Sequence, residues 1–437
     1  MADAVGAIIA APHSGAGKTL VTLAMLAALR RRGVSVASAK VGPDYIDPRF
    51  HEAASGRVCS NLDHWAMRGD LLRALAGATA CSAELLLIEG VMGLFDGAQG
   101  GGGATADVAA MLDLPILLVV DAASQGQSVA ALVQGFAQFR ADCRIAGVIF
   151  NRVAGPRHEE ILRAALAPLQ MPVLACLPRN DGLILPSRHL GLIQAGEHKD
   201  LDAFLIAAAD WLGAHLDLDA LVAMAKPVTP ARGDAVPLPP LGQHMAIARD
   251  EAFAFLYPHL IAGWRQAGAR LSFFSPLGDE APDAEADAVF LPGGYPELHA
   301  ARLAGNETFL SGLRQVAEKA LVYGECGGFM VLGDGLIDGD GVRHAMAGLL
   351  PVATSFAARK RTLGYRRLHH DGALPWPVHL RGHEFHYSVE TDTGSGVALF
   401  AAQDAAGRQI AALGARQGRV MGSYAHVIDA AGPMEAA

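Results

Sequence analysis

Ala11-Pro12-His13-Ser14-Gly15-Ala16-Gly17-Lys18-Thr19 decides the fold of the first half of this chain. The run follows a short apolar stretch and opens a helical one, the setting of a loop that holds phosphate. Backbone N–H groups of a glycine-rich turn surround phosphate oxygens, and the next helix adds its positive end. His13 to Thr19 would line the nucleotide phosphates: Lys18 reaches the β- and γ-phosphates and the Thr19 hydroxyl binds Mg²⁺. A glycine turn with an incidental Lys-Thr is the bland alternative, and the strand–loop–helix context argues against it. One position departs from the usual G-x-x-x-x-G-K-T pattern, with Pro12 where the first glycine belongs.

Working outward, short apolar runs alternate with helical patterns. Residues 5–11, 34–40, 84–89, 116–121, 145–150 and 173–177 read as strands, and 17–32 as a helix ending in Arg30-Arg31-Arg32-Gly33. Cations at the negative helix end followed by glycine form a stop signal. Alternation of this kind predicts an α/β fold, a parallel sheet covered on both faces. Two acidic segments follow strands beside the phosphate loop, Lys40-Val41-Gly42-Pro43-Asp44-Tyr45-Ile46-Asp47-Pro48 and Ile88-Glu89-Gly90-Val91-Met92-Gly93-Leu94-Phe95-Asp96. Glu89 ends a strand where a metal-binding acid belongs. Singly, Asp44, Asp47 or Asp96 could be a turn or cap residue; jointly they favour a metal site.

Prolines 227, 230, 237, 239 and 240 interrupt the pattern, so residues 227–242 read as a stiff linker between a domain over 1–226 and another over 243–437. Past it, strands are expected at 245–249, 271–274, 288–291 and 320–324, with helices at 251–267 and 307–319. Tyr323-Gly324-Glu325-Cys326-Gly327-Gly328-Phe329 then resembles a nucleophile elbow with cysteine in place of serine. Small neighbours allow the strained turn, and the helix start is expected to lower the thiol pKa and supply oxyanion donors. Leu291-Pro292-Gly293-Gly294 offers a second donor strip. Among candidate bases, His426 leads by position, with His383 and His386 as rivals. The His383-Glu384-x-His386 spacing does not match the helical HExxH zinc motif. An inert buried thiol, or a structural histidine, is the plain alternative for each partner of the pair.

The 437 residues exceed one ordinary core; 51% are hydrophobic and 18% charged, a globular balance. A net charge of −9 argues against nucleic acid or an anionic membrane as partner. Five scattered cysteines without a CxxC pair fit a reducing cytoplasm. The start lacks a basic n-region, so no secretory signal is expected. Residues 100–103, four glycines with no side chain to pack, read as a flexible loop.

Gly42-Pro43-Asp44-Tyr45-Ile46-Asp47-Pro48, Glu89-Gly90-Val91-Met92-Gly93-Leu94-Phe95-Asp96-Gly97, Leu185-Pro186-Ser187-Arg188-His189-Leu190-Gly191-Leu192 and Gly382-His383-Glu384-Phe385-His386-Tyr387-Ser388 together resemble cobyrinic or hydrogenobyrinic acid a,c-diamide synthases along nearly the whole chain. The first domain is similar to dethiobiotin synthetases, which tolerate a non-glycine at the Pro12 position, and the second to class I glutamine amidotransferases. The resemblance implies ATP and L-glutamine as co-substrates, Mg²⁺, and amidation of the a and c carboxylates of a corrin ring through an acyl phosphate. It implies Cys326 as nucleophile with His426, and Gly293, Gly294 and Gly327 as oxyanion donors. Lys18 and Lys40 would steady phosphoryl charge and Asn151 would read adenine. Thr19, Asp44 and Glu89 are the implied metal ligands, with Asp47 and Asp96 for metal or substrate. Tyr45, Ile46, Arg188 and His189 are candidates for the tetrapyrrole. The amidotransferase pattern places a glutamate two residues after the histidine; here that position is Ile428 and the nearest acid is Asp429, so a Cys–His dyad is expected. Cobyric acid synthase and the nickel-sirohydrochlorin a,c-diamide enzyme are alternatives with the same architecture. A partitioning-type switch ATPase is one of another class, with no use for Cys326. A homodimer and the metal state of the ring are left open.

Overall fold

The computed structural model describes residues 4–188, 191–229, 235–394 and 396–432. The chain divides into two compact units at Ala235/Val236, inside the proline-rich stretch, with the short segments Ala66–Arg68 and Ala98–Gly100 grouped with the second.

The first unit is built on parallel strands β1 (Val5–Ala10), β2 (Val36–Val41), β3 (Ser60–Leu62), β4 (Leu85–Glu89), β5 (Ile116–Asp121), β6 (Ile145–Val153) and β7 (Val173–Pro178), in the order β3-β2-β4-β1-β5-β6-β7. The runs are apolar on both faces because helices cover both, and β1, β2, β4 and β5 are buried almost throughout. Register does the functional work. Glu89 of β4 pairs with Ile9 of β1 and with Lys40 of β2, so the acid and the lysine meet at the strand ends next to the phosphate loop. Helix α1 (Lys18–Arg31) starts directly after that loop, and α2 (Asp47–Ser55) after the acidic turn behind β2. Gly33, with φ +81°, turns the chain out of α1 and donates its N–H to the Arg30 carbonyl at 3.0 Å.

Two strands of this sheet were not anticipated. Strand β3 is only three residues long, too short to show a period. Lys226–Pro227, where the expected linker begins, pairs antiparallel with Val5–Gly6; at the sheet's off-path margin Pro227 need not donate. Gly100–Gly103 all adopt positive φ, a turn that only glycines enter without strain.

The second unit has a sheet in the order β9-β8-β10-β11-β16-β15, from β8 (His244–Ala248), β9 (Arg270–Phe274), β10 (Ala288–Leu291), β11 (Leu321–Glu325), β15 (Ala415–Gln417) and β16 (Val420–Ser423). All neighbours are parallel except the β15–β16 pair. A second, antiparallel sheet runs β14-β12-β13-β17, from β12 (Thr362–His369), β13 (His379–His386), β14 (Ala401–Asp404) and β17 (His426–Ala430). The helix expected over 251–267 begins only at Pro258, which occupies its first turn. Proline disfavours helical geometry at the preceding residue; 251–253 form a turn and bend, and Phe255 bridges to Gly293. Among the described residues no helix is long and apolar enough to cross a membrane.

Candidate active sites

In the first unit the phosphate loop turns through left-handed Gly15 (φ +81°) and Gly17 (φ +96°), which curls its backbone amides towards the start of α1. A β-carbon at Gly17 would lie 2.2 Å from Asn151 Nδ2, so only glycine fits. Asn151, two residues before the end of β6, donates from Nδ2 to the Ala16 carbonyl at 2.9 Å, and so braces the loop from beneath. His13, Ser14 and Gly15 form its exposed rim. Gly93, in the loop after β4, has its Cα against the Pro12 carbonyl, where a β-carbon would come within 2.6 Å. Its N–H donates to Asp96 Oδ2 at 2.9 Å, so Asp96 shapes that loop.

Four side chains converge where β2 and β4 end. Thr19 Oγ1 donates to Glu89 Oε1 at 2.7 Å and lies 3.4 Å from Asp47 Oδ2. Lys40 Nζ sits between Asp47 Oδ2 at 2.6 Å and Glu89 Oε1 at 2.7 Å. Burial pulls the Lys40 pKa down, but these two carboxylates outweigh it and hold the ammonium well above its ordinary range. For Glu89, burial works upward while Lys40 and His51 outweigh it, and the carboxyl stays well below the usual range. Lys18 donates to the Met92 carbonyl at 2.5 Å, and burial lowers its pKa to about 8. A phosphate bound there would favour the charged ammonium.

These residues fit Mg²⁺. A hydroxyl and two carboxylates are hard oxygen donors, and the Lys40 ammonium already shows that a cation is favoured between them. Among the described residues no three His, Cys, Asp or Glu are grouped to hold a metal on their own. Mg²⁺ commonly needs only one or two carboxylates besides phosphate oxygens. Asp44 lies within electrostatic reach of Lys40 and Asp47 but is turned to its own loop: its Oδ1 accepts from the Ile46 and Asp47 amides at 2.8 and 3.1 Å, and burial pushes its pKa up to about 6. Asp47, the looser ligand by sequence, is the one beside Thr19. Ile46 is buried and Tyr45 half-buried. Ser187–Arg188 forms a small ladder with Gly191–Leu192, whereas His189 lies outside the described residues.

Sequence reasoning missed His51. It is fully buried and its Nε2 bonds Glu89 Oε2 at 2.6 Å, while Nδ1 faces Cys59 Sγ at 3.6 Å. Burial alone would lower its pKa, but Cys59 and Glu89 override that and raise it to about 10. The available signal was its spacing, four residues after Asp47 on the same helix and therefore on the same face.

In the second unit Cys326 caps β11 with φ +46° and ψ −106°, a strained turn into α3 (Gly327–Leu332). The Cys326 N–H donates to the Ser423 carbonyl at 2.8 Å, which ties the elbow to β16. His426 opens β17, and Gly293 joins the two. A β-carbon on Gly293 would lie 2.3 Å from His426 Cε1, 3.1 Å from His426 Nε2 and 3.1 Å from Cys326 Cβ. Thiol and imidazole thus share one glycine-lined corner. Gly294 and Gly327 meet there too, with the Gly294 nitrogen 3.0 Å from where a Gly327 β-carbon would be. Of the rivals, His383 pairs with His426 across β13 and β17, while His386 stacks on Tyr424 at 3.8 Å and bonds the Ser388 carbonyl.

The electrostatics differ from expectation. Burial, with Glu297 close by, pushes the Cys326 thiol up; the Gly327 amide pulls the other way and loses. Burial, reinforced by His383 and His386, lowers His426 to about 3. The corner therefore rests as thiol and neutral imidazole, a proton donor facing a proton acceptor. Asp429, the acid nearest to His426 in sequence, is engaged elsewhere, with Arg68 Nε at 2.9 Å.

Residues 7–193 match the CobQ/CobB/MinD/ParA nucleotide binding domain, and residues 244–433 the CobB/CobQ-like glutamine amidotransferase domain. Hydrogenobyrinate a,c-diamide synthase of Brucella anthropi is 56% identical over 433 residues, covering 98% of this chain and 99% of that protein. Enzymes of the same name from Sinorhizobium sp and Mesorhizobium japonicum are 54% and 50% identical, covering 98% and 96% of this chain and 99% and 98% of theirs. Similar at this level from end to end, the chain belongs to the hydrogenobyrinate a,c-diamide synthase family.

Proposed function

We propose that this protein amidates the a and c carboxylates of metal-free hydrogenobyrinate, using ATP to activate each carboxylate and glutamine to supply ammonia. The observation that carries the reading is the presence, in one chain, of a Thr19–Asp47–Glu89–Lys40 cluster beside a phosphate loop and a Cys326–His426 corner lined by glycine. Near-full-length identity to relatives of that name supports the ring assignment. Carboxylate activation belongs to residues 1–226 and glutamine hydrolysis to 243–437, joined by 227–242, in the cytoplasm that the free thiols suit.

In the second unit, the Cys326 sulfur attacks the side-chain amide carbon of glutamine as His426 takes the thiol proton. The Gly293, Gly294 and Gly327 amides surround the oxyanion. His426 returns the proton to the leaving nitrogen, ammonia departs, and water cleaves the glutamyl thioester to glutamate. In the first unit a ring carboxylate oxygen attacks the γ-phosphorus of ATP and ADP leaves. Ammonia then attacks the acyl phosphate, forming the amide and releasing phosphate. Lys18 and Lys40 offset charge on the transferring group. Thr19, Asp47 and Glu89 would hold Mg²⁺, which when bound draws charge from the phosphate oxygens.

The test is a Cys326→Ala variant assayed by mass with Mg-ATP and hydrogenobyrinate. Glutamine-driven amidation is expected to vanish while free ammonia still adds two amides. Loss of both together would overturn the division between the units.

A further inference from the structure

We propose that Glu325, the residue immediately before the nucleophile, positions and charge-balances His426, so that the corner works as a Cys–His–Glu triad with its acid taken from an unusual place in the chain. The inference rests on the reading of Cys326 and His426 above and deepens it.

Three observations carry it. First, the His426 ring faces two ways: its Nε2 edge lies at Gly293 beside Cys326, and its Nδ1 faces Glu325 Oε2 at 3.8 Å. A base that receives a proton on one nitrogen is oriented by an acid at the other. Second, Glu325 is held in place. It is 2% exposed, and its Oε1 accepts the Val427 N–H at 3.0 Å, so the carboxyl is fastened to the residue next to the histidine. Third, the usual acid position is apolar. Ile428 is fully buried, with its carbonyl bonded to His259 Nε2 at 3.0 Å, and Asp429 is paired with Arg68. A buried glutamate in a parallel strand needs partners, and Glu325 has the Val427 amide and Tyr323 on its own side and the His426 ring beyond them.

His426 meets Glu325 from β11 and His383 and His386 from β13. Glu325 meets Tyr323 on its own strand, and Cys326 has Glu297 and Glu384 near it besides Glu325. The two histidines from β13 disfavour charge on His426, so the carboxyl at Nδ1 is the group that favours the imidazolium. In the resting site burial raises Glu325 to about 8. When the Cys326 proton moves to His426, the new cation draws Glu325 towards its ionised form, and a closer Nδ1–H to carboxylate bond follows.

The test is Glu325→Gln, which keeps the shape and the acceptor for Val427, with Glu325→Asp as the conservative variant. We expect glutamine-driven kcat to fall about 10²-fold with little change in KM for glutamine. Ammonia-driven amidation should hold, and the rise of Cys326 alkylation by iodoacetamide should move to higher pH, with Glu325→Asp recovering part of each. A Gln variant within twofold of the parent in both kcat and alkylation would overturn the proposal, as would an equal loss of ammonia-driven amidation. If Cys326→Ala itself kept glutamine use, the parent reading of the site would fail instead, independently of Glu325.

Discussion

At the scale of single residues, the two sites depend on buried ionisable groups whose partners are specific. Glu89 is the clearest case: one oxygen serves Thr19 and Lys40, the other His51. Replacing His51 by Phe would strip the second oxygen of its donor in a fully buried setting. A hydrogen bond to a charged group contributes about 2 kcal/mol, so urea unfolding should show a loss of that order. Ammonia-driven amidation should fall as well, because Glu89 would no longer be held beside Thr19. Unchanged stability would mean that His51 is a passive neighbour. The same scale explains the difference between Asp44 and Asp47. Both occur in one Gly/Pro turn, but Asp44 folds back on two backbone amides, and that leaves Asp47 to face Lys40.

At the scale of elements, glycine sets how close the working strands and loops can come. Gly17 stands where α1 begins and Asn151 crosses behind it. A Gly17→Ala change adds a β-carbon onto that amide and forces an L-residue into φ +96°, so binding of a fluorescent ATP analogue should be lost. Gly293→Ala has a different signature. Its β-carbon would displace the His426 ring and crowd Cys326, so glutamine-driven activity should drop by about 10²-fold or more. Ammonia-driven amidation would persist, since the strand ends of the first unit are untouched. A variant that still hydrolysed glutamine at the parent rate would show that the ring does not sit where this corner places it.

At the scale of the whole molecule, pH acts on the second unit through groups with opposed shifts. His383 and His426 are lowered from 6.5 to about 3 by burial, so the unfolded chain takes up protons below 6.5 that the folded one refuses. Stability from these groups is lost as pH falls through that window. Glu325 is raised from 4.5 to about 8, so its contribution is complete below 4.5 and is lost as pH rises towards 8. Among these three groups, two histidines against one glutamate leave a net loss on acidification from 6.5, steeper below 4.5, and His259 and His370, also lowered by burial, act in the same direction. Each net proton is equivalent to about 1.4 kcal/mol per pH unit at most. Melting temperatures should therefore be lower at pH 5 than at pH 7; a rise at pH 5 would contradict neutral, buried histidines.

Much of this molecule is written locally. The apolar runs that became β1, β4 and β5 are continuous because both faces of a parallel sheet are covered, and the loop from His13 to Thr19 announces phosphate by its glycines and Lys18-Thr19 set between a strand and a helix. The Cys326 elbow is equally local, since small neighbours and a following helix are adjacent in the chain. What the sequence could not decide is which polar groups meet. Strand register, set by packing across the whole sheet, put Glu89 opposite Lys40 and left His51 behind it. Burial, a property of the assembled unit, reversed the expected direction for the Cys326 thiol. The carboxyl nearest the His426 ring comes from Glu325, just before Cys326, because the Glu325 side chain reaches the Val427 amide at the start of β17. Motifs are local and can be read in order, whereas charge partners depend on distance and desolvation, which exist only once the chain has folded.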